Sequence, residues 1–154
     1  NEQGKASYYL PAGRWMDFFT GEVLEGERYY QAFYDYMSLP LMIRPNSLVA
    51  VGDNCKEVAY DYADHVTLYL GYLEKDIEAQ SVIRNGKGDV ELEVKAIYTE
   101  GILTVTANGN GKPWSMLLRH TSKAEALDGC RVEMIEEGIR IIPTRYTGSF
   151  KVVY

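Results

Sequence analysis

Two histidines, His65 and His120, are the side chains of this sequence best suited to act as a base near neutral pH. Nucleophilic catalysis by Ser, Cys or Thr needs such a base within hydrogen-bond reach. His65 follows Asp64 before one apolar run and His120 follows Arg119 at the end of another, so neither stands in a recognisable catalytic motif. A G-x-S-x-G sequence is absent as well. We therefore interpret both histidines as solvated residues at strand ends and loops, not as catalytic groups.

Acidic residues are plentiful but scattered. Glycoside hydrolysis requires two carboxyl groups held on either side of a scissile bond within one cleft. The acidic groups predict turns and polar strand faces instead: Glu22, Glu25 and Glu27 around a turn, Glu91 and Glu93 on a strand, and Glu136 and Glu137 at a hairpin tip. We predict that these groups are solvated, and we assign no catalytic residue.

Metal and nucleotide sites are also not predicted. Acidic and amide side chains do gather near the middle of the chain, at Asp53, Asn54, Asp61 and Asp64, but without the D-x-D-x-D-G-x5-E spacing of a calcium loop. The glycine-rich stretch at 108–113 lacks the first glycine and the final Ser or Thr of a P-loop, since Thr106 and Pro113 occupy those positions. We read it as a loop between strands and assign no metal-binding residue and no cofactor.

The two cysteines, Cys55 and Cys130, form no C-x-x-C motif and have no histidine at metal-ligand spacing. Because cysteine packs well as a small apolar residue, we expect two buried free thiols rather than a disulfide. No N-x-S/T glycosylation acceptor and no charged-then-apolar leader occur in these 154 residues. These features favour a cytoplasmic location, although the first residue is Asn1, which is typical of a processed product or an excised piece.

The charge balance and the length of the apolar runs argue against two classes of partner. The chain has 16 basic and 22 acidic side chains, which gives a formal net charge of −6. Nucleic-acid backbones are held by clustered Lys and Arg, so we expect no nucleic-acid partner. No apolar run reaches the about 18–20 residues that span a bilayer, so we expect no membrane partner.

Alternating polarity predicts β-strands along the second half of the chain. Between Asp89 and Tyr98 the apolar residues fall on one side of a strand, while Glu91, Glu93 and Lys95 fall on the other. Glu100–Gly101 then predicts a tight turn into a second strand at 102–107. A further hairpin is expected from 130–135, through Glu136, Glu137 and Gly138, to 139–142.

Further strands are expected at 66–73, 77–83 and 114–119, between breaks at 85–88 and 108–112. No window of helical length has an apolar period of 3.6 residues, and the best stretch, 122–127, makes only about two turns. The sequence therefore predicts an all-β fold of one or more antiparallel β-sandwiches with no substantial helix.

A change in character near 52–56 predicts two domains, residues 1–52 and residues 53–154. The first is rich in aromatic residues: Trp15, Phe18, Phe19, Tyr29, Tyr30, Phe33, Tyr34 and Tyr36. A segment of about 50 residues hides too little surface to build its own core, so it must lean on the second domain or on a partner. We expect an exposed apolar patch on Trp15, Phe18, Phe19 or their neighbours, and self-association through it. Two uses of the aromatic residues remain open, which are filling a core or interface and stacking on a glycan.

Two blocks of the first domain resemble glycoside hydrolase family 31, the α-glucosidase and α-xylosidase family. The first, at 8–22, contains Leu-Pro-Ala-Gly-Arg-Trp followed by Asp17 and by a Thr-Gly turn. The second, at 39–52, is similar to that family's Pro-hydrophobic-Arg-x-Gly-Ser-hydrophobic stretch, with Asn46 where glycine is more usual. Asn tolerates the left-handed backbone of such a turn. The distal pattern, including 114–119, is most similar in character to the bacterial α-xylosidase branch.

The resemblance implies a proximal (1–52) and a distal (53–154) C-terminal β-sandwich domain of a retaining α-glycosidase. In this family the two catalytic aspartates lie in a (β/α)8 barrel, and no position here matches their motifs. We therefore expect this chain alone not to be an enzyme, its parent protein to be an α-xylosidase or α-glucosidase of carbohydrate metabolism, and its partner to be the catalytic barrel. The domain could also mediate contacts in a homo-oligomer.

Two rival functions remain at this point. The chain could be a carbohydrate-binding module that recognises glycan by aromatic stacking. It could also be an unrelated β-sandwich interaction protein, in which case the two blocks would be coincidental.

Overall fold

The computed structural model describes residues 4–53 and 57–154, and fifteen strands account for its regular structure. In chain order they are β1 (Lys5–Leu10), β2 (Arg14–Asp17), β3 (Val23–Glu25), β4 (Arg28–Phe33), β5 (Met42–Ile43), β6 (Leu48–Val51), β7 (Val66–Leu70), β8 (Glu78–Arg84), β9 (Val90–Thr99), β10 (Ile102–Gly109), β11 (Trp114–Leu118), β12 (Glu125–Asp128), β13 (Cys130–Ile135), β14 (Gly138–Pro143) and β15 (Gly148–Val153). Helix is absent from the described residues, so nothing there forms a helix that could cross a membrane. The predicted all-β class is confirmed.

Two five-stranded sheets form the larger part of the structure. Sheet I has the order β12-β15-β10-β9-β8 and is antiparallel throughout. Sheet II has the order β13-β14-β11-β7-β6, and its β11–β7 pair is parallel while the other pairs are antiparallel. The two sheets share one apolar core, and we call this unit the sandwich.

Strand alternation explains why the core lies between the two sheets. In β9 the residues Leu92, Val94 and Ala96 are buried, as predicted, while Val90 at the strand's start is 45% exposed. In sheet II the same alternation buries Val66, Leu68 and Leu70 of β7 and turns Thr67 and Tyr69 outward. Period-two burial therefore sets both which residues form the core and which lie on the outer face of sheet II.

Both predicted hairpins are confirmed. Glu100 and Gly101 connect β9 to β10 with φ angles of 51° and 84°, as the paired left-handed conformations of a two-residue hairpin loop require. Glu136 and Glu137 connect β13 to β14, and Gly138 already belongs to the second strand, paired with Ile135.

The segment at 122–127 contains no helix. Its end forms β12, an exposed edge strand that pairs with β15 across an irregularity between Ala126 and Asp128. Pairing with a neighbouring strand thus overrides a weak helical preference in a segment too short to nucleate a helix.

The N-terminal residues, up to 47, form two small sheets. One is the two-stranded ribbon β1–β4, and the other has the order β3-β2-β5. Only Leu10, Met16 and Ile43 are buried apolar residues among the described part of this segment, and none belongs to the sandwich core. The next strand, β6, pairs with β7, and its Leu48 contributes to the sandwich core. The division of the chain at residue 52 stays a prediction.

The turn at Gly101 provides a test of the β9–β10 hairpin. Open space surrounds a Cβ added at Gly101, so Gly101→Ala meets only the conformational penalty of a φ of +84°. We expect the free energy of unfolding to fall by about 1 kcal/mol in urea denaturation. Gly86 has equally open surroundings but no left-handed φ, so Gly86→Ala should change the free energy of unfolding by less than about 0.5 kcal/mol. Equal effects of the two substitutions would contradict the turn geometry.

Candidate functional site

The ribbon β1–β4 has two different aromatic faces. Tyr8 and Tyr30 are opposite each other on the inner face, where their rings stack at 6.0 Å and both are half-buried. On the outer face Tyr9 is opposite Tyr29, with ring centroids 5.1 Å apart, and Phe33 lies at the strand's end. Tyr9, Tyr29 and Phe33 are 49%, 76% and 74% exposed.

A hydrogen-bonded turn follows the ribbon along the chain. The carboxylate of Asp35 accepts hydrogen bonds from the Met37 amide (3.0 Å) and the Ser38 hydroxyl (2.7 Å), and these bonds lower the pKa of Asp35. The turn leaves Tyr36 and Met37 almost fully exposed. We call Tyr9, Tyr29, Phe33, Tyr36 and Met37 the aromatic surface. Exposed apolar groups in this number are typical of interaction sites.

The predicted patch residues are placed differently from one another. Trp15 is half-buried and its indole donates to the Pro11 carbonyl at 2.9 Å. Phe18 is half-buried against the sandwich, and only Phe19 is 51% exposed. The exposed apolar groups are therefore mainly their neighbours in the ribbon and its turn. The period-two pattern of β1 and β4 contained the signal, because it places Tyr9 and Tyr29 on one face.

Arg119 joins the N-terminal segment to the sandwich. It directly follows β11, and its guanidinium donates to the carbonyl oxygens of Phe18 (2.7 Å) and Phe19 (2.5 Å). Gly21 lies so close that an added Cβ would be 2.7 Å from the Arg119 Cβ. A side chain at Gly21 would therefore separate the two parts.

Aromatic stacking strengthens the same junction. The ring of Phe18 lies 5.1 Å from the ring of Tyr69, with 13° between their planes. Leu117 pairs with Tyr69 on the outer face of sheet II and is only 2% exposed, although it is not part of the sandwich core. The N-terminal segment thus buries part of an outer sheet face that would otherwise be wet.

Two further contacts lie beside the stack. The Arg14 guanidinium lies 4.8 Å from the centre of the Tyr72 ring, donates to the Tyr72 hydroxyl and pairs with Glu25 at 3.0 Å. Asn46 has a φ of 54°, its side-chain amide donates to the Glu74 carboxylate at 3.0 Å, and its side-chain oxygen accepts from the Glu74 main-chain amide at 2.7 Å. The left-handed backbone expected at Asn46 is confirmed.

The structure separates the two histidines and gives neither a nucleophile. His120 packs between the rings of Tyr72 (5.9 Å) and Tyr154 (5.6 Å), so it is not the solvated residue that we expected. Burial lowers the pKa of His120, and its Nδ1 has no hydrogen-bond partner among the described residues. His65 is exposed, as predicted, and its Nδ1 contacts the Asp64 carboxylate at 2.9 Å. In the described part of the chain, no Ser, Cys or Thr side chain makes a hydrogen bond to either imidazole ring.

Glu91 corrects one expectation about the carboxylates. Its side chain is only 12% exposed, because Lys112 (2.5 Å), Asn110 (2.8 Å) and Asn85 (3.0 Å) surround it. These hydrogen bonds, led by that of Lys112, lower the pKa of Glu91. The glycine-rich loop is thus confirmed as a connection between strands, and it supplies Asn110 and Lys112 to this network.

Two of the acidic residues near the middle of the chain, Asp61 and Asp64, contact basic side chains. Asp61 pairs with Lys112 at 2.8 Å and Asp64 with His65, while Asn54 lies outside the described residues. Across residues 4–53 and 57–154, no three His, Cys, Asp or Glu side chains are grouped as metal ligands would be. Cys130 is a half-buried free thiol whose pKa is raised by burial, and Cys55 also lies outside the described residues.

Removing the Arg119 guanidinium should loosen the N-terminal segment selectively. Arg119→Met eliminates two charge-assisted hydrogen bonds to main-chain oxygens, so we expect a loss of about 2–3 kcal/mol in the free energy of unfolding. Amide hydrogen exchange should rise most over residues 14–43. Arg131, which makes one exposed ion pair to Glu133, is the matched control, and Arg131→Met should cost less than about 1 kcal/mol. Uniform exchange changes along the chain would contradict the role given to Arg119.

His120 predicts a pH dependence of stability. Because its folded-state pKa is below the ordinary value of 6.5, the unfolded chain binds a proton that the folded chain does not. Stability from the neutral ring is therefore complete above pH 6.5 and is lost as the pH falls from there towards the folded-state pKa. His120→Phe should flatten the unfolding free energy measured between neutral and mildly acidic pH. Parallel pH profiles for the two proteins would contradict this assignment.

Two family models together match most of the chain. The model described as "Alpha-xylosidase YicI, C-terminal domain" matches residues 61–154, and "Glycosyl hydrolase family 31 C-terminal domain" matches residues 1–49. The chain is 30% identical over 135 residues to α-xylosidase XylQ of Lactiplantibacillus pentosus, covering 84% of this chain and 18% of that protein. It is 47% identical over 45 residues to α-glucosidase 2 of Bacillus thermoamyloliquefaciens, covering 29% and 6%. The chain thus spans less than a fifth of the length of these relatives.

Solved structures show the same fold at low sequence identity. A family 31 dextranase of Flavobacterium johnsoniae, complexed with glucose, matches with a TM-score of 0.72 at 12% identity, over 97% of this chain and 24% of that one. The cycloalternan-forming enzyme of Listeria monocytogenes matches with a TM-score of 0.70 at 12% identity, over 98% and 17%.

The hypothesis of an unrelated β-sandwich protein is therefore wrong, because the first block lies within a family match of its own. The resemblance seen in the sequence is confirmed over both parts of the chain. The chain belongs to glycoside hydrolase family 31, as a C-terminal β-sandwich region of its α-glycosidases.

Proposed function

We propose that this chain is the non-catalytic region that packs against the catalytic barrel of its parent glycosidase, and that the aromatic surface is the contact. The exposure of Tyr29, Phe33 and Tyr36 is the observation that carries this proposal. Relatives of the chain are glycoside hydrolases of family 31, and this chain corresponds to less than a fifth of their length.

The ribbon is poorly suited to stand alone. Two paired strands are marginally stable in water unless one face is covered. The inner face is covered by its own tyrosines, whereas the outer face has no cover from the described residues. Aromatic side chains supply large contact area with few rotatable bonds, which suits a permanent interface.

The contacts of Arg119 and Phe18 give the region its mechanical role. They hold the N-terminal segment on the sandwich by main-chain hydrogen bonds and a stacked ring pair. A barrel docked on the aromatic surface would therefore be braced by the whole sandwich. We infer that the region packs firmly against the barrel and supports it, and that it does not move independently of the barrel.

The parent activity that we favour is α-xylosidase, with α-glucosidase second. The α-xylosidase domain model covers most of the sandwich, and the α-xylosidase relative aligns with 84% of the chain. The α-glucosidase relative aligns with only 45 residues. We propose that the chain alone has no hydrolytic activity, because its half-buried Glu91 is engaged by Lys112 and two amides and Asp61 is paired with Lys112.

Glycan recognition by the aromatic surface is a second candidate. The paired rings of Tyr9 and Tyr29 are exposed and tilted by 54°, which offers a stacking surface to a sugar chain. Titration with xyloglucan or malto-oligosaccharides separates the two candidates. A docking surface gives no saturable shift at Tyr9 or Tyr29, whereas a glycan platform does.

The first experiment is to read the gene upstream of the codon for Asn1. A reading frame that continues back through a barrel with two suitably placed aspartates would support the proposal. A start codon or secretion signal just upstream would overturn it. In the isolated chain, aryl α-xylosides and α-glucosides should not be hydrolysed, and clear turnover would contradict the non-catalytic role.

Substitution on the aromatic surface tests the docking directly. In the isolated chain, Tyr29→Ser with Phe33→Ser should reduce hydrophobic-dye binding and self-association measured by light scattering. In the whole parent protein the same pair should lower the melting temperature and activity, because the barrel loses its apolar contact. Val82→Ser, at a side chain 40% exposed on the remote strand β8, is the control and should change neither. Loss of self-association without any effect in the parent would indicate a contact between copies instead.

A further inference from the structure

A pocket of about 290 Å³ with mixed polar and apolar walls opens on the outer face of sheet II, next to the part that the N-terminal segment covers. Its walls include Asp53, His65, Thr67, Ser115, Arg140 and Tyr146. Neither the family resemblance nor the docking proposal uses these residues. The aromatic surface contributes none of its side chains to this pocket.

Sheet register explains why polar groups meet here. Val66 and Trp114 point into the sandwich core, so the residues that follow them, Thr67 and Ser115, point outward. The parallel pairing of β7 and β11 places these two side by side, with their hydroxyl oxygens 3.1 Å apart. Arg140 reaches the same face from β14, in register with Leu117.

Arg140 has no partner among the described residues. Its cross-strand neighbour Glu133 pairs with Arg131 instead, at 3.3 Å. The Arg140 Nε is buried and makes no hydrogen bond there. By contrast, Arg14 and Arg119 both have hydrogen-bond acceptors in the described structure. A half-buried guanidinium without an acceptor is unfavourable, and such groups are rare unless something outside the chain satisfies them.

His65 is held in an uncommon conformation at the pocket's edge. Its φ is 54°, its amide donates to the Pro113 carbonyl at 2.7 Å, and its Nδ1 contacts Asp64 at 2.9 Å. These contacts orient the ring and leave Nε2 on its other side. Backbone in this region is costly for a residue other than glycine, and it concentrates at functional sites.

We propose that this pocket binds a neutral, hydroxyl-rich ligand, namely a single pyranose unit. Arg140 supplies donors, Asp53 supplies acceptors, and Thr67, Ser115 and Tyr146 can do either. The charges of Arg140 and Asp53 offset each other, so neither a free anion nor a metal ion is favoured. Tyr146 adds aromatic surface and is positioned by the Trp114 indole, which donates to its carbonyl at 3.0 Å.

Nuclear magnetic resonance on the isolated chain tests the proposal, with methyl α-D-xylopyranoside and methyl α-D-glucopyranoside as probes. We expect at least one of the two glycosides to cause saturable amide shifts grouped at His65, Ser115 and Arg140. Arg140→Met keeps the aliphatic stem and removes the donors, so affinity should fall by about tenfold or more. Arg145→Met, at an exposed arginine outside this pocket, should leave affinity unchanged. If Arg140→Met does not fold, Asp53→Asn on the exposed connecting segment replaces it, with the same expected direction.

Three results would overturn the pocket's assignment. One is no saturable shift with either glycoside. Another is a set of shifts centred on Tyr9 and Tyr29, which would place the glycan on the aromatic surface. The last is equal binding of sodium sulfate, which would indicate an anion site. None of these results bears on docking to the barrel, because the docking test leaves Arg140, Asp53 and His65 unchanged.

Discussion

The hold of Arg119 on two main-chain oxygens is the interaction on which the arrangement of this chain depends. Among its described residues the N-terminal segment buries three apolar side chains of its own, too few to keep its place by packing alone. Arg119 is fixed at the end of a central strand and donates to the carbonyls of Phe18 and Phe19. Those bonds set the Phe18 ring on Tyr69 and cover the outer face of sheet II there. The N-terminal segment is positioned by this contact together with the Phe18–Tyr69 stack and the Arg14–Tyr72 contact.

The chain's 13 tyrosines fall into different roles because the fold gives them different surroundings. Tyr69 stacks with Phe18, and the ring of Tyr72 contacts the guanidinium of Arg14. Tyr154 and Tyr72 pack on either side of the half-buried His120. Tyr29 and Tyr36 face water and are free to contact another part of a larger protein. Tyrosine suits all of these positions, because it combines a large apolar ring with a polar tip.

Pairing of charges separates structural polar groups from those available for recognition. Around Glu91, two amides and one ammonium satisfy a carboxylate that a polar strand pattern alone would leave in water. The guanidinium of Arg140, by contrast, has no hydrogen-bond partner among the described residues. The first arrangement fixes a loop to a strand. The Arg140 arrangement leaves donors and acceptors facing a pocket. The Glu91 network is therefore structural, whereas the groups beside Arg140 are available to bind a ligand.

The all-β class, the alternation of β9, the Glu100–Gly101 turn and the family could all be predicted from the amino-acid sequence. These features depend on near neighbours along the chain: a period of two, a two-residue loop and short blocks of consecutive residues. The contacts between residues far apart in sequence depend instead on tertiary packing. Arg119 and Phe18 are 101 positions apart, and only the packing of the N-terminal segment on sheet II brings them together. Sheet pairing likewise made the 122–127 segment end in a strand, and packing placed His120 between two tyrosine rings and Arg140 beside a pocket. Such contacts arise from the register and packing of distant strands, which no local pattern of residues encodes.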